Sequence, residues 1–479
     1  MKINEPFLEE SLEHLEKTRA WSPRVISKLE TLIRSAEDEA LLRVNPFRFA
    51  VDRNIKEQES LDLFLHASLR GLFTMDWSLT CPTCGEVVDS FKTLQNIHAS
   101  FGCNLCRTNI ETTLDEMIHV AFTVSPRVRE IIFHHPESLS AEDYYLKYRF
   151  DQQAHYPDAS RFVDFFRKEA VYFATIPAGG SAVFDVELGP GWLITGDLEN
   201  DTGYFFEVRQ GTGAVNEPVR LELRRNARLV EAPPRSVGRL RVELVNTMAE
   251  GSRVFGVQEP IEKAPPLEFG RVLTGKRILS SQTFRDLFRN EVISSDEGLT
   301  VRDITILFTD LKGSTALYDR IGDLRAFTLV RQHFDSLGKV ILGHGGAIVK
   351  TIGDAIMASF LSPFDAAGAA LAMLEEIERF NGNLGRRELV LKMGIHRGAS
   401  IAVTMNDRLD YFGQMVNVAS RVQGIADADQ ICLTEEAFSA EGVREVFREQ
   451  TVSQESSMIK GVQGEVVVYR VQPRVMAAV

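Results

Sequence analysis

Three hydrophobic patterns follow one another along this 479-residue chain, and no single sheet or helix bundle satisfies all three. Leu8, Leu12 and Leu15, then Leu61, Leu65, Leu69 and Leu72, recur at helical spacing. Residues 1–75 are therefore expected to be mainly helical, broken at Asn45-Pro46 within residues 44–50 (VNPFRFA). From about Arg161 the period changes to two. Phe184, Val186 and Leu188 alternate with acidic residues, and Leu221, Leu223, Leu240, Val242 and Leu244 alternate with charged ones. Such runs, separated by Gly, Pro and Asn turns, predict an antiparallel, sandwich-like sheet region. The Pro-bearing stretch 259–267 (EPIEKAPPL) is a natural boundary.

After Val301 strands and helices alternate. Residues 304–308 form an apolar strand, and Asp323 to about Leu342 reads as a helix with Leu324, Phe327, Val330, Phe334, Leu337 and Val340 on one face. Residues 347–360 read as strand, tight turn at Ile352-Gly353, strand. Ser362-Pro363 opens a second helix, and residues 389–395 make another strand. The order β-α-β-β-α-β is the ferredoxin-like plan. Just before it, residues 271–300 hold a short amphipathic helix with Phe284, Leu287, Phe288 and Val292 on one side, readable as a coupling element or as a packed linker. The expected fold class is α+β and multidomain. Residues 1–160 form an α+β region with an insert at 78–110, residues 161–265 an antiparallel β domain, residues 266–300 a linker, and residues 301–479 a ferredoxin-like domain.

The insert carries Cys81-Pro-Thr-Cys84 and Cys103-Asn-Leu-Cys106, 18 residues apart. That spacing fits a zinc-ribbon-like site. Four thiolates close a tetrahedral shell, so the zinc expected at Cys81, Cys84, Cys103 and Cys106 is structural. Gly85 and Arg107 follow the two knuckles and suit tight turns. His98 lies between the pairs and reads as a surface residue. Cys432, alone in an apolar stretch, reads as a small buried thiol.

The formal net charge of −13 argues against a nucleic-acid partner, which calls for a basic face. No apolar run reaches the roughly 18 residues of a membrane span. The N-terminus has no apolar secretory stretch. The expectation is a cytoplasmic protein with no integral membrane association.

Three pieces of the C-terminal region carry chemistry. In residues 304–315 (ITILFTDLKGST), Asp310 ends an apolar strand, where a carboxylate is expensive unless it binds something. The following Leu311, Lys312, Gly313, Ser314 and Thr315 enter a helix whose first N–H groups can hold phosphate. In residues 348–358 (IVKTIGDAIMA), Asp354 follows a tight turn and Lys350 projects from the same hairpin. Two isolated carboxylates at strand ends suit a two-metal phosphoryl site. In residues 410–422 (DYFGQMVNVASRV), Asn417 and Arg421 are four apart and share a helix face, suited to a ribose and a phosphate.

In this order and spacing the three pieces resemble a class III adenylyl/guanylyl cyclase domain over residues 301–472. The resemblance implies that Asp310 and Asp354, with the Leu311 carbonyl, bind two Mg²⁺ or Mn²⁺ ions. It implies that Lys350 and Asp410 read the base, Asn417 orients the ribose, and Arg421 stabilises charge on the α-phosphate. Lys460 looks like the lysine that contacts the terminal phosphates. A lysine donor and an aspartate acceptor complement the adenine edge, whereas guanine reverses both roles, so ATP is the expected substrate. The implied reaction is attack of the ribose 3′-hydroxyl on the α-phosphorus, giving 3′,5′-cyclic AMP and pyrophosphate. In the family, metal aspartates and base-reading residues of one site come from different chains, which implies a homodimer.

The first 270 residues resemble an uncharacterised module that precedes class III cyclase domains in some bacterial proteins. The pieces that match are VNPFRFA, the two cysteine pairs and residues 284–292 (FRDLFRNEV). A regulatory ligand or protein partner is expected there. Two other readings stand beside the adenylyl cyclase: a guanylyl cyclase, and a catalytically silent nucleotide-binding regulator.

Overall fold

The computed structural model describes residues 3–210, 218–259, 265–294, 297–459, 462 and 464–473. Lys460 and most of the Pro-bearing stretch, residues 260–264, lie outside the described residues. The chain divides into two compact units. The first holds Met1–Lys92, Ser100–Glu111 and Glu116–Leu273, and the second holds Thr93–Ala99, Thr112–Asp115 and Thr274–Val479.

The first unit opens with α-helices Glu5–Glu16, Val25–Ser35, Pro46–Arg53 and Glu57–Leu69. Leu8, Leu12 and Leu15 are buried, as their spacing requires. Residues 44–50 do not break a helix; they start one. The Asn45 side chain accepts from the N–H groups of Phe47 and Arg48, and Pro46 takes the first position, where its missing N–H costs nothing. Behind the helices lies a three-stranded sheet of Val87–Phe91, Phe73–Thr80 and Ile118–Val124. Its Phe73 and Phe122 rings pack about the Phe64 ring at 5.1 and 5.2 Å. The same unit contains the sandwich. One sheet is built around Gly191–Asp197, Thr202–Arg209 and Ser252–Glu259, the other runs Val219–Leu223, Gly238–Asn246, Ser181–Leu188. Val186, Leu188, Leu221, Leu223, Leu240, Val242 and Leu244, all chosen by their period of two, share one core with Leu193, Phe206 and Val254. Four pairings are antiparallel; Val219–Leu223 runs parallel to Gly238–Asn246, and Arg228–Glu231 and Arg235–Ser236 run parallel to Thr202–Arg209.

The second unit is an eight-stranded sheet with the order Ala347–Ile352, Ala355–Phe360, Leu299–Leu311, Leu391–Met405, Gln430–Thr434, Glu465–Gln472, Thr451–Met458; Arg408–Phe412 pairs with Leu391–Met405. Its first four strands and the helices Asp323–Gly343 and Pro363–Asn383 make the ferredoxin-like arrangement. These helices cover one face, over a core that includes Leu307, Leu337, Ile356, Met373 and Ile395. On the opposite face Val418 and Val422 of helix Gln414–Gly424 pack with Cys432 and Val468.

Two further expectations change. Helix Asp323–Gly343 buries Ala326, Leu329, Val330, His333, Leu337 and Ile341, whereas Leu324 is 79% exposed and Phe327 59%. Phe327 lies about a quarter of a turn off the buried stripe and Leu324 is nearly opposite it, too far round the 3.6-residue repeat to reach the sheet. The single amphipathic helix within residues 271–300 is two short ones, Gly275–Leu279 and Gln282–Leu287, each capped by its own hydroxyl residue, Thr274 and Ser281.

The second unit also draws in Thr93–Ala99 from within the cysteine insert and Thr112–Asp115 just after it. Leu94 N–H donates to Glu291 at 2.9 Å and Ala99 N–H to Glu297 at 2.9 Å. Leu114 N–H donates to the Thr300 carbonyl at 2.9 Å, and Arg302 N–H donates to Asp115 at 2.7 Å.

Candidate active site

Asp310 stands near the end of Leu299–Leu311, paired opposite Lys392. Asp354 stands in the turn between Ala347–Ile352 and Ala355–Phe360, where Gly353 adopts φ 63°, a conformation that costs a residue with Cβ. Phe308 pairs with Met357, so continuing that register brings both aspartates to the same end of neighbouring strands. Burial pushes the Asp310 carboxyl above the usual carboxylate range, and the Asp354 charge adds to the rise. Lys392, 3.8 Å away, offsets part of it. Asp354 Oδ2 is buried without a hydrogen-bond partner among the described residues. Two close carboxylates, one with an orphaned oxygen, fit hard divalent cations, which take oxygen ligands and remove the like-charge penalty.

The loop after Asp310 leads straight into helix Ser314–Ile321. Gly313 is its N-cap and supplies no side-chain cap, so the first N–H groups of the helix keep their donors for a ligand. Lys312 is exposed beside it.

Lys350 and Asp410 meet. Lys350 Nζ donates to Asp410 Oδ2 at 2.5 Å, and Asp410 Oδ1 accepts from the Tyr411 N–H at 2.8 Å. Asp410 is held buried, with 8% of its side chain exposed, while Lys350 is 37% exposed. An ammonium has three donors and a carboxylate about four acceptor sites, so the pair retains capacity for a further partner.

Asn417 and Arg421 lie on helix Gln414–Gly424 as spaced, Asn417 exposed and Arg421 half-buried. Arg421 Nη1 is buried with no partner among the described residues. The helix lies so close to the sheet that a Cβ on Gly394 would sit 2.2 Å from the Gln423 nitrogen. Lys392 was not anticipated. Its signal was present as the one charge inside the apolar run Leu389-Val390-Leu391-Lys392-Met393.

The four cysteines of the insert converge in the first unit. Their sulfurs all lie within 4.8 Å of one another, with Cys81 to Cys106 at 3.8 Å and Cys84 to Cys103 at 3.5 Å. Sulfurs bound at about 2.3 Å around a tetrahedral ion stand about 3.8 Å apart, so the cluster fits zinc. The turns after each knuckle have positive φ, 67° at Gly85 and 56° at Arg107. Buried Glu86 approaches Cys103 Sγ at 3.3 Å and is itself held by Arg149 Nη2 at 2.9 Å. His98 is exposed and bonds Glu297 at 3.0 Å instead of joining the cluster. Cys432 is fully buried in its strand, and burial pushes its thiol up to about 11.

Residues 299–473 match the family described as Adenylate and Guanylate cyclase catalytic domain, and residues 9–286 match the Family of unknown function (DUF5939). An adenylate cyclase of Anabaena cylindrica is 34% identical over 139 residues, 26% of this chain and 28% of that protein. An adenylate cyclase of Streptomyces coelicolor is 28% identical over 259 residues, 48% of this chain and 63% of that protein. The chain thus spans less than two thirds of either relative. The crystal structure of the adenylyl cyclase CyaB from P. aeruginosa covers 38% of this chain and 100% of its own, at 21% identity and a TM-score of 0.33. No helix among the described residues is long and apolar enough to cross a membrane.

Proposed function

Because the chain belongs to the Family of unknown function (DUF5939) through residues 9–286 and carries an adenylate and guanylate cyclase catalytic domain at residues 299–473, we propose that it converts ATP to 3′,5′-cyclic AMP and pyrophosphate. The observation that carries this reading is the orphaned Asp354 Oδ2 beside the raised Asp310 carboxyl. Asp310, Asp354 and the Leu311 carbonyl would hold two Mg²⁺ or Mn²⁺ ions. Bound there, such ions make the ribose 3′-hydroxyl easier to deprotonate and offset phosphate charge.

The chain's own residues do the rest. Lys350 donates to adenine N1 and Asp410 accepts from the N6 amino group, their mutual bond setting the spacing of the two. Asn417 orients the ribose. Arg421 turns its unpartnered Nη1 to the α-phosphate, where charge develops as the 3′-oxygen attacks. The N–H groups from Lys312, Gly313, Ser314 and Thr315, with Lys460, hold the departing pyrophosphate.

Each site is built from two copies of the chain, Asp310 and Asp354 from one and Lys350 and Asp410 from the other. Exposed apolar side chains support such a partner surface on the elements around the site: Leu324 and Phe327, Ile352 on the Lys350 strand, and Phe412 beside Asp410. Residues 1–270 serve as a regulatory region, stapled by one structural zinc at Cys81, Cys84, Cys103 and Cys106.

The test is cyclic nucleotide formation by the full chain with ATP or GTP and Mg²⁺ or Mn²⁺, beside Asp310→Ala and Lys350→Ala. Each single variant is expected to be inactive. Mixing them regains about a quarter of wild-type output, since half of randomly reassorted dimers are mixed and each holds one intact site. A mixture as dead as its parts removes the shared-site reading. No product from either nucleotide, in protein that binds ATP, favours the silent regulator. Equal use of GTP defeats the adenine assignment.

A further inference from the structure

A cavity of about 790 Å³ lies wholly within the first unit, within the range of small-molecule sites. Its apolar lining includes Leu32, Val120, Phe150 and Leu273. Its charged lining is uneven. Arg48 pairs with Asp52 at 3.0 Å, Lys147 with Asp143 at 2.9 Å, and Arg161 with Asp164 at 2.8 Å. Asp151 accepts from buried His119 at 2.7 Å; burial opposes its charge, and that bond, with a smaller contribution from Arg43, keeps the carboxyl below its usual range. Glu37 is exposed. Arg43 and Arg53 line the cavity half-buried, with no carboxylate partner among the described residues. Arg43 Nη1 donates to the Tyr148 carbonyl at 2.6 Å while its guanidinium lies 4.8 Å over the Tyr148 ring, and the Arg53 guanidinium lies 6.0 Å from the Phe49 ring centre.

Two further features point to a ligand. Ser78 also lines the cavity, 3% exposed, and its Oγ has no hydrogen-bond partner among the described residues. Buried hydroxyls rarely stay unmatched. Arg43 takes φ 46°, a strained conformation for a residue with Cβ, held by its N–H bond to Thr123 Oγ1 at 3.1 Å. Strain of this kind gathers at ligand clamps.

We propose that this cavity binds a small organic anion with an apolar body, its charge met by Arg43 and Arg53 and its acceptor by the Ser78 hydroxyl. Two guanidiniums without an ion-pair carboxylate among the described residues, inside a concave, partly apolar wall, select an anion over a neutral or cationic ligand. An effect of the ligand on catalysis rests on the regulatory reading of residues 1–270; the binding itself does not.

The test is fluorescence titration of the full-length protein with 1-anilinonaphthalene-8-sulfonate, an organic anion that brightens in apolar surroundings. One saturable site per chain is expected, displaced by decanoate and not by decan-1-ol. Arg43→Gln and Arg53→Gln should each weaken binding about tenfold, the loss of one charge-assisted hydrogen bond. Ala36→Phe narrows the lining without touching a charge and should also weaken binding, which keeps the test open where an arginine variant fails to fold. No saturable site, equal displacement by decan-1-ol, or unchanged affinity in Arg53→Gln and Ala36→Phe overturns the proposal. Cyclic nucleotide output is read separately, with and without decanoate. Binding with an unchanged rate upholds the site and removes its regulatory role, and a chain without cyclase activity leaves the binding result intact.

Discussion

At the scale of residues, the second unit keeps polar groups that its own packing leaves unsatisfied. Asp354 Oδ2 and Arg421 Nη1 are opposite in character, an acceptor and a donor, as the proposed cation and phosphate would require. His333 is a different case. It is fully buried on helix Asp323–Gly343, its Nδ1–H donates to the Val330 carbonyl at 2.6 Å, and its Nε2 has no partner among the described residues. Burial pushes its pKa down to about 4; the Val330 bond and the Asp354 charge oppose the drop. The folded chain therefore holds a neutral imidazole where the unfolded chain binds a proton, between its ordinary value near 6.5 and about 4. Stability is full above the unfolded value and falls as pH drops through that window, by roughly 3 kcal/mol for this group. Replacing it in His333→Leu should flatten the stability curve of the catalytic unit between those pH values, measured by urea unfolding at stepped pH. A variant as acid-sensitive as the wild type there would show that other groups set the dependence.

At the scale of elements, the placement of helix Gln414–Gly424 depends on one absent side chain. A Cβ at position 394 would meet the backbone of Gln423, which no rotamer change relieves. Gly394→Ala is expected to destabilise the unit by about 1–3 kcal/mol and to lower cyclic nucleotide output further than stability alone accounts for, because the helix carries Asn417 and Arg421. Gly382→Ala, with nothing within 4 Å, is the control and should hold or raise stability by about 0.5–1 kcal/mol. Thermal midpoints and initial rates for the two variants decide it; equal losses would mean the helix position tolerates the shift. Elements also show where periodicity misleads. Leu324 and Phe327 fit a helical apolar stripe in sequence, but the stripe that meets the sheet is the one through Ala326, Val330 and Leu337. Asn45-Pro46 resembles a breaker in sequence and acts as a cap and first turn.

At the scale of the whole molecule, the chain crosses between its two units at residues 92/93, 99/100, 111/112, 115/116 and 273/274. No single cut in the sequence separates them. Ser100–Cys103 and Thr108–Glu111, which bear the second cysteine pair, form a two-stranded ribbon, a size that is marginal without further support. The four sulfurs tie that ribbon to the turn at Cys81 and Cys84. Purified protein is expected to carry one zinc per chain by elemental analysis. Extraction with a strong chelator should raise amide exchange across residues 100–111 and lower the thermal midpoint, and Cys81→Ser with Cys103→Ser should lack the metal. Metal-free protein with unchanged exchange in the ribbon would remove the stapling role.

What the sequence determined by itself is what depends on neighbours in the chain. Periods of two and of 3.6 marked the strands Ser181–Leu188, Val219–Leu223 and Gly238–Asn246 and the helices Glu5–Glu16, Glu57–Leu69 and Asp323–Gly343, because facing alternates by local geometry. The two CxxC pairs marked the cluster, since ligands three positions apart in a knuckle are preset by one turn. The spacing of the motifs put Asp310 and Asp354 at strand ends and Asn417 and Arg421 on one helix, which is where the structure has them. Tertiary structure decided what depends on pairing at long range. It set Lys392 opposite Asp310, joined Lys350 to Asp410, chose which helix stripe is buried, and took residues 93–99 and 112–115 into the second unit. Those outcomes follow from register and close packing between segments tens to hundreds of residues apart, which no local pattern encodes.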